Sequence, residues 1–227
     1  MPDRDVDVRR TAVTALGAAL RAAAVAAVVS EVPVDGLERA TELARALTEQ
    51  LLERTRGIAE LASVDDPPNG FRLFGPVIGA GSAVAPPLEL VHAADGIEAR
   101  VTLDRRFEGP AGIAHGGVAA LLLDELLGQA EIDEGRWGMT ASLTIGYKRP
   151  LPLGEELLLR ARVTGTEGRK TWIGGTIATA EHPDAVCVTA EGLFIIPRDS
   201  TYERYFGGVT STNGAAVDVR FGRAAEA

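Results

Sequence analysis

Asp124 is the residue whose position asks for a chemical reason. It stands inside Val118-Ala-Ala-Leu-Leu-Leu-Asp-Glu-Leu-Leu127, an apolar run where a carboxylate is costly unless it is hydrogen-bonded or used. A helix could turn Asp124 or its neighbour Glu125 to solvent, which accounts for one of the two acids and leaves the other. The same run opens with His115-Gly116-Gly117. A helix start presents backbone N–H groups without partners and a partial positive charge. Such donors can hold a carbonyl oxygen that becomes anionic under attack, although glycines there also suit a turn that needs their backbone freedom. Asp124 lies eight residues beyond Gly116, which at ~1.5 Å per residue is about 12 Å along a helix. The two cannot meet one scissile bond within a single chain. If both act on it, the acid comes from a second copy.

A third chemical feature is the stretch Met139-Thr-Ala-Ser-Leu-Thr-Ile-Gly-Tyr-Lys-Arg-Pro150. Strict alternation puts Thr140, Ser142, Thr144 and Gly146 on one face and Ala141, Leu143, Ile145 and Tyr147 on the other. A face of small hydroxyls is what positions water beside a carboxylate; edge strands also carry threonines without catalytic reason. Lys148, Arg149, Arg169 and Lys170 fall at two strand ends and offer a local basic patch for an anionic ligand, with Arg105 and Arg106 as additions. Solvated loop charge explains any one of them equally well.

Other chemistries lack their residues. His92, His115 and His182 share no ligand spacing with each other or with Cys187, so no metal site is expected. Gly79-Ala-Gly81 has no strand and helix around it to make a dinucleotide loop. There is no Gly-Lys-Ser/Thr phosphate loop and no Gly-x-Ser-x-Gly elbow. Cys187 sits in an alternating apolar strand, as a core residue does. The formal charge of −9 argues against nucleic acid, which calls for a basic field, and obliges any anionic ligand to find a local patch.

The elements that must position these groups fit a chain of 227 residues, 46% hydrophobic and 24% charged, which is enough for a buried core without disulfides. Residues 1–70 read as a helical extension. Nine alanines lie between Ala12 and Ala27, in a helix expected to be loosely packed or frayed. Asp3, Asp5 and Asp7 offset Arg4, Arg9 and Arg10, and Arg21 interrupts the middle, so neither an export signal nor a membrane span is expected. A cytoplasmic location follows as an expectation. Leu37, Ala40, Ala44, Leu47 and Leu51 recur at helical steps and predict an amphipathic helix over 36–61, started by the carboxylates of Asp35 and Glu38. Residues 71–87 read as an extended linker lying over the surface. From residue 88 a hairpin, a long buried helix over 118–130 and strands near 139–149, 156–165, 170–180 and 186–196 predict an α+β domain over 88–197. Its strands are expected to form an antiparallel meander. Residues 198–227 read as a mobile tail with a short ordered piece around Tyr202 to Phe206.

Four blocks in order carry a resemblance. They are Phe107-Glu-Gly-Pro-Ala-Gly-Ile-Ala-His-Gly-Gly117, Leu-Leu-Leu-Asp-Glu125, Met139-Thr-Ala-Ser-Leu through Tyr147-Lys-Arg-Pro150, and Glu167-Gly-Arg-Lys170. Together they resemble the hotdog-fold acyl-CoA thioesterases, in the branch related to PaaI and the eukaryotic thioesterase superfamily members, over roughly residues 84–197. The resemblance implies a long helix wrapped by an antiparallel sheet of five or six strands. It also implies a homodimer, or a dimer of dimers, with sites built across the interface. It makes Asp124 the catalytic carboxylate, as general base or nucleophile, and gives Thr140 the task of orienting water or the acid. The Gly116 amide would polarise the thioester carbonyl, with His115 and Gly117 shaping the turn, and Lys148, Arg149, Arg169 and Lys170 would bind the anionic end of coenzyme A. Some relatives carry an Asn or Gln shortly before this turn, where this chain has Glu108, Gly109 and Pro110. The expected reaction is hydrolysis of acyl-CoA to free acid and coenzyme A, with no cofactor. A noncatalytic acyl-CoA-binding module and a hydrolase acting on acyl-carrier protein are the alternatives.

Overall fold

The run of leucines around Asp124 leaves a helix no fully wet side, and the rest of the chain is arranged to cover it. In the computed structural model, which describes residues 2–86, 88–93 and 95–220, α3 (Gly116–Asp133) buries Ala119, Leu122, Leu123, Leu126, Leu127 and Ala130. One strip stays accessible. Gly117 and Leu121 are exposed, and Asp124 and Gly128 are half-buried at the helical spacing that puts all four on one face. The cover is a single antiparallel sheet of six strands: β1 (Glu89–Ala93), β2 (Gly96–Thr102), β3 (Met139–Tyr147), β4 (Glu156–Glu167), β5 (Lys170–Thr179) and β6 (Val188–Ile195). The α+β class and the strand positions agree with the sequence reading.

The order of the strands does not. A simple meander would seat β3 beside β2, but the order is β1-β2-β4-β5-β6-β3. The chain leaves β2, runs through α3 and enters the sheet at the far edge, so β3 pairs only with β6 among the described strands. Crossing by way of α3 lets the helix lie across the sheet it helps to connect. Two glycines permit its close approach. A Cβ at Gly175 on β5 would lie 2.6 Å from a Leu127 methyl, and one at Gly192 on β6 would lie 2.7 Å from the other. Hence Leu127 seats between two strands, in the space that side chains would otherwise fill.

The segments outside 88–197 are tied to this core. α1 (Pro2–Val29) is the one helix among the described residues long and apolar enough to cross a membrane by length and composition. It packs along one face: Arg10 Nε donates to the Val64 carbonyl at 2.9 Å, and Arg21 Nη1 donates to the carbonyls of Ala80 and Ser82, both at 2.7 Å. α2 (Val34–Leu52) ends nine residues before the expected 61. The backbone of 59–61 is claimed elsewhere, with Leu61 donating to Thr210 O and Thr210 to Ala59 O, so a tertiary pairing overrides the helical pattern. Neither acid caps α2; Pro33 holds the N-cap position, and Asp35 pairs with Arg39 at 2.7 Å.

Pro87, the last residue of the expected linker, lies outside the described residues, and residues 71–86 differ most from expectation. Rather than lying over the surface, they send Val77 and Ala85 into the interior, where both are fully buried. Val77 joins the main core, and Leu73 joins a smaller one with Ala62, Val64 and α1's Val13. The small residues read as surface loop are small because backbone and helix press on them.

Residues 221–227 of the expected mobile tail lie outside the described residues, and over 198–220 the C-terminal segment is ordered beyond the piece expected around Tyr202 to Phe206. It forms α4 (Asp199–Phe206). Tyr202 and Phe206 contact Trp137, with ring centroids at 6.1 and 5.8 Å, and the Tyr202 hydroxyl donates to Asp218 at 2.8 Å. The Arg220 guanidinium beside Asp218 holds its carboxyl well below the usual range, against an opposing effect of burial. A lowered acid contributes stability that is full above the ordinary aspartate pKa of ~3.9 and is lost as pH falls through the folded value. Acidification below about pH 4 should therefore loosen this segment. Tryptophan fluorescence in a Trp172→Phe background, where Trp137 alone reports, should change there, and Asp218→Asn should remove that transition.

Candidate functional site

Strict alternation would turn Thr140 away from α3. The pairing of β3 with β6 shows why it is not turned away. Thr140 lies opposite Phe194 and Ser142 opposite Leu193, leaving Ala141 as the extra residue of a β-bulge. One additional residue inverts the alternation, so Thr140 shares the helix-facing side with Leu143, Ile145 and Tyr147. The expected hydroxyl face is thereby split: Ser142 and Thr144 lie on the opposite side, and only Thr140 meets the acid. Its Oγ1 donates to Asp124 Oδ1 at 2.9 Å. Asp124 is half-buried and Thr140 exposed. Glu125 is also half-buried and accepts from Gln129 Nε2 at 2.9 Å.

A second acid, overlooked in the sequence, fixes the approach to the bulge. Glu131 is 1% exposed and lies seven residues after Asp124, two turns along the same helix face. One oxygen accepts from the Gly138 amide at 2.7 Å and the other from the Thr171 hydroxyl at 2.8 Å. Arg136 Nε donates to the same hydroxyl at 2.9 Å. The chain entering β3 is thus tied to α3 two residues before Thr140. An acid seven residues after Asp124 was the available signal, masked by Asp133 and Glu134 beside it.

The other end of α3 has its own arrangement. His115 is the N-cap, and its Nδ1 accepts from the Gly117 amide at 3.0 Å, while Val118 donates to the His115 carbonyl. The Gly116 amide, between His115 and Gly117, has no hydrogen-bond partner among the described residues. Tyr147, at the far end of β3, donates to the Gly116 carbonyl at 2.9 Å, a contact the sequence did not announce. Glu108 accepts from the Gly112 amide at 2.8 Å, so it stabilises the turn that precedes His115.

The four cations do not gather within one chain. Lys148 and Arg149 follow Tyr147 at one end of β3. Arg169 and Lys170 lie beside Ile195, the residue paired with Met139 at the other end. Eight residue steps at ~3.4 Å separate those ends by roughly 27 Å. Arg149 donates to Val186 O at 2.8 Å, Arg169 to Ile196 O at 2.6 Å, and Lys170 stands 6.0 Å from the Trp172 ring centre. Arg105 and Arg106 are held locally by Glu108 and Asp104.

Asp124 and Thr140 border a cleft of about 450 Å³ whose other walls include Pro76, Ile78, Trp137 and Phe194. A polar hydroxyl–carboxylate pair thus sits at the side of a partly apolar cavity. Among the described residues no group of three His, Cys, Asp or Glu side chains is arranged to hold a metal.

Residues 111–189 match the family model of the thioesterase superfamily. A solved thioesterase superfamily protein is 38% identical, with 86% of this chain and 91% of that one covered, at a TM-score of 0.65. Acyl-coenzyme A thioesterase THEM4 of Xenopus laevis is 38% identical over 89 residues, 39% of each chain. Acyl-coenzyme A thioesterase THEM5 of Mus musculus is 32% identical over 88 residues, 39% of this chain and 35% of its own. The chain spans about two fifths of the length of these curated relatives.

Removing the Glu131 carboxylate leaves the Gly138 amide and Thr171 hydroxyl without their partner in a buried place. Glu131→Ala should therefore lower stability by about 2–4 kcal/mol, read from the urea unfolding midpoint. Glu131→Gln, which keeps one acceptor, should lose less.

Proposed function

The chain belongs to the thioesterase superfamily, and from that premise we propose that it hydrolyses an acyl-CoA thioester to a carboxylic acid and coenzyme A. The observation that carries this reading is the Thr140–Asp124 hydrogen bond at the edge of a cleft, on the helix whose other end leaves the Gly116 amide free. The carboxylate of Asp124 takes a proton from water as the water oxygen bonds to the thioester carbon. Thr140, donating to one carboxylate oxygen, leaves the other to face that water. The carbonyl oxygen gains negative charge as its π bond opens, and the Gly116 amide at the positive helix end receives it. Collapse re-forms the carbonyl and breaks the C–S bond, and the proton leaves with the sulfur as thiol. Direct attack by Asp124 followed by hydrolysis of the mixed anhydride uses the same groups.

The Gly116 end must come from a second copy, for the two groups stand about 12 Å apart along one helix. β3 supplies the means. It is an edge strand whose Met139 end carries Thr140 and hence Asp124, and whose Tyr147 end carries Gly116. Antiparallel pairing of β3 with the β3 of another copy would bring one chain's Asp124–Thr140 to the other's Gly116–Tyr147. It would also draw Arg169 and Lys170 of one chain toward Lys148 and Arg149 of the other, making the basic patch that one chain lacks. The accessible strip of α3 at Gly117 and Leu121 flanks that edge in the same proposal.

Asp124→Ala should lower thiol release from acyl-CoA by on the order of 10²–10⁴-fold, the range for loss of a general base, with the fold intact by circular dichroism. Thr140→Val should cost less because the acid remains. Equal rates for wild type and Asp124→Ala would remove the assigned mechanism. Saturable acyl-CoA binding with no thiol release would turn the reading to a binding module.

A further inference from the structure

One wall of the cleft beside Asp124 comes from outside the domain that the family resemblance covers, and another is steadied from outside it. Pro76 and Ile78 belong to the N-terminal segment, and Trp137, though within the domain, is held in place by the C-terminal one. The N-terminal wall is anchored on both sides of its exposed residues. Val77 is fully buried in the main core, and Leu73 packs with Val13 of α1 in the smaller one. Gly81 donates to the Leu73 carbonyl at 2.8 Å, which closes the loop between them. α1 then clamps the loop from outside. Gly17 rests so near it that a Cβ there would fall 2.6 Å from Ala80 O, and Arg21 binds the carbonyls of Ala80 and Ser82. Ile78, half-buried and packed against the core, is therefore held toward the cleft by a braced loop.

The chemistry of the lining points to one class of occupant. Pro76, Ile78, Trp137 and Phe194 supply hydrocarbon to the lining, while Arg72, Glu125 and Gln129 join Asp124 and Thr140 in its polar part. A molecule with a polar reacting end and an apolar tail matches that division. The volume, about 450 Å³, lies in the ~300–1,000 Å³ range of small-molecule sites, which suits an acyl group with the nucleotide left outside.

We infer that the loop 72–78, braced by α1, sets the length of the aliphatic acyl chain accepted beside Asp124. The inference rests on the thioesterase reading for the identity of the polar end. Ile78 is the specificity-determining side chain, and α1 is a positioning element that acts through the loop.

The test compares wild type with Ile78→Trp, Ile78→Ala and Gly17→Leu on saturated acyl-CoAs from acetyl to palmitoyl, as kcat/KM from thiol release. Ile78→Trp should depress the longest accepted chain by about tenfold or more, and acetyl-CoA by much less, since small volume changes in a pocket discriminate on that scale. Ile78→Ala should move the preferred length upward, and Gly17→Leu, by displacing α1, should broaden the profile. One common factor across the series for both Ile78 variants, or an unmoved profile, overturns the inference even if Gly17→Leu fails to fold. If wild type releases no thiol from any acyl-CoA, the hydrolase reading fails by itself. The wall is then read from fatty-acid binding, by Trp137 fluorescence in a Trp172→Phe background. A length limit that shifts with Ile78 supports it; an unshifted limit or no binding of any chain length overturns it.

Discussion

One extra residue in β3 governs which side of the sheet Thr140 faces. In a regular strand Thr140 would share a face with Ser142 and Thr144, with the sheet itself between it and Asp124. The bulge at Ala141 inverts the order for the first residues of the strand. The hydrogen bond to Asp124 at 2.9 Å then becomes possible. A bulge at a strand end is easily slid or lost, so something must hold it. Glu131 does so by gripping the Gly138 amide from the helix. Its burial makes the grip strong, because a carboxylate denied water gains most from the two donors it retains. Asp124, Glu131 and Thr140 thus form one mechanical unit, in which the buried Glu131 positions the hydrogen-bond partner of Asp124.

Separation along α3 and β3 follows from the same geometry. The two polar contacts between α3 and β3 fall at opposite ends of the strand, one from the middle of the helix and one from its head. At one end stand Asp124 and Thr140; at the other, Gly116 with its carbonyl bound by Tyr147. The cations divide the same way. Neither end holds the full set of acid, free helix-head amide and four cations that the proposed reaction uses. The proposed pairing along β3 joins unlike ends, which is why an antiparallel edge is an economical way to build two sites from one strand.

The extensions contribute more than length. α1 is braced against a loop by arginine-to-carbonyl bonds and by a glycine that allows backbone contact, and the loop carries Val77 into the core. α4 steadies Trp137 from the other side. α2 differs from both, because it buries none of its residues, although its apolar stripe is the most regular in the N-terminal half.

How much of this was legible varies with the range of the interaction. Strand positions, the long buried helix, and Asp124 and Gly116 as residues of chemical interest were readable, because periodicity, capping and the cost of a carboxylate among leucines are local properties. Thr140 came from the family resemblance, since alternation alone turned it away from α3. Also readable was the distance of about 12 Å between Gly116 and Asp124, which is arithmetic on helical rise and is what the proposed second copy rests on. The tertiary structure alone decided four things. It sent β3 to the far edge of the sheet, since strand order depends on which faces cover α3 and not on sequence neighbours. It introduced the bulge, which appears only against a partner strand, and so split the hydroxyl face. It placed the four cations at opposite ends of the sheet, a separation that spacing along the chain cannot reveal. And it drew Val77 and the small residues around it inward, because glycine and alanine in a row look the same whether they lie in water or under the backbone of a packed helix.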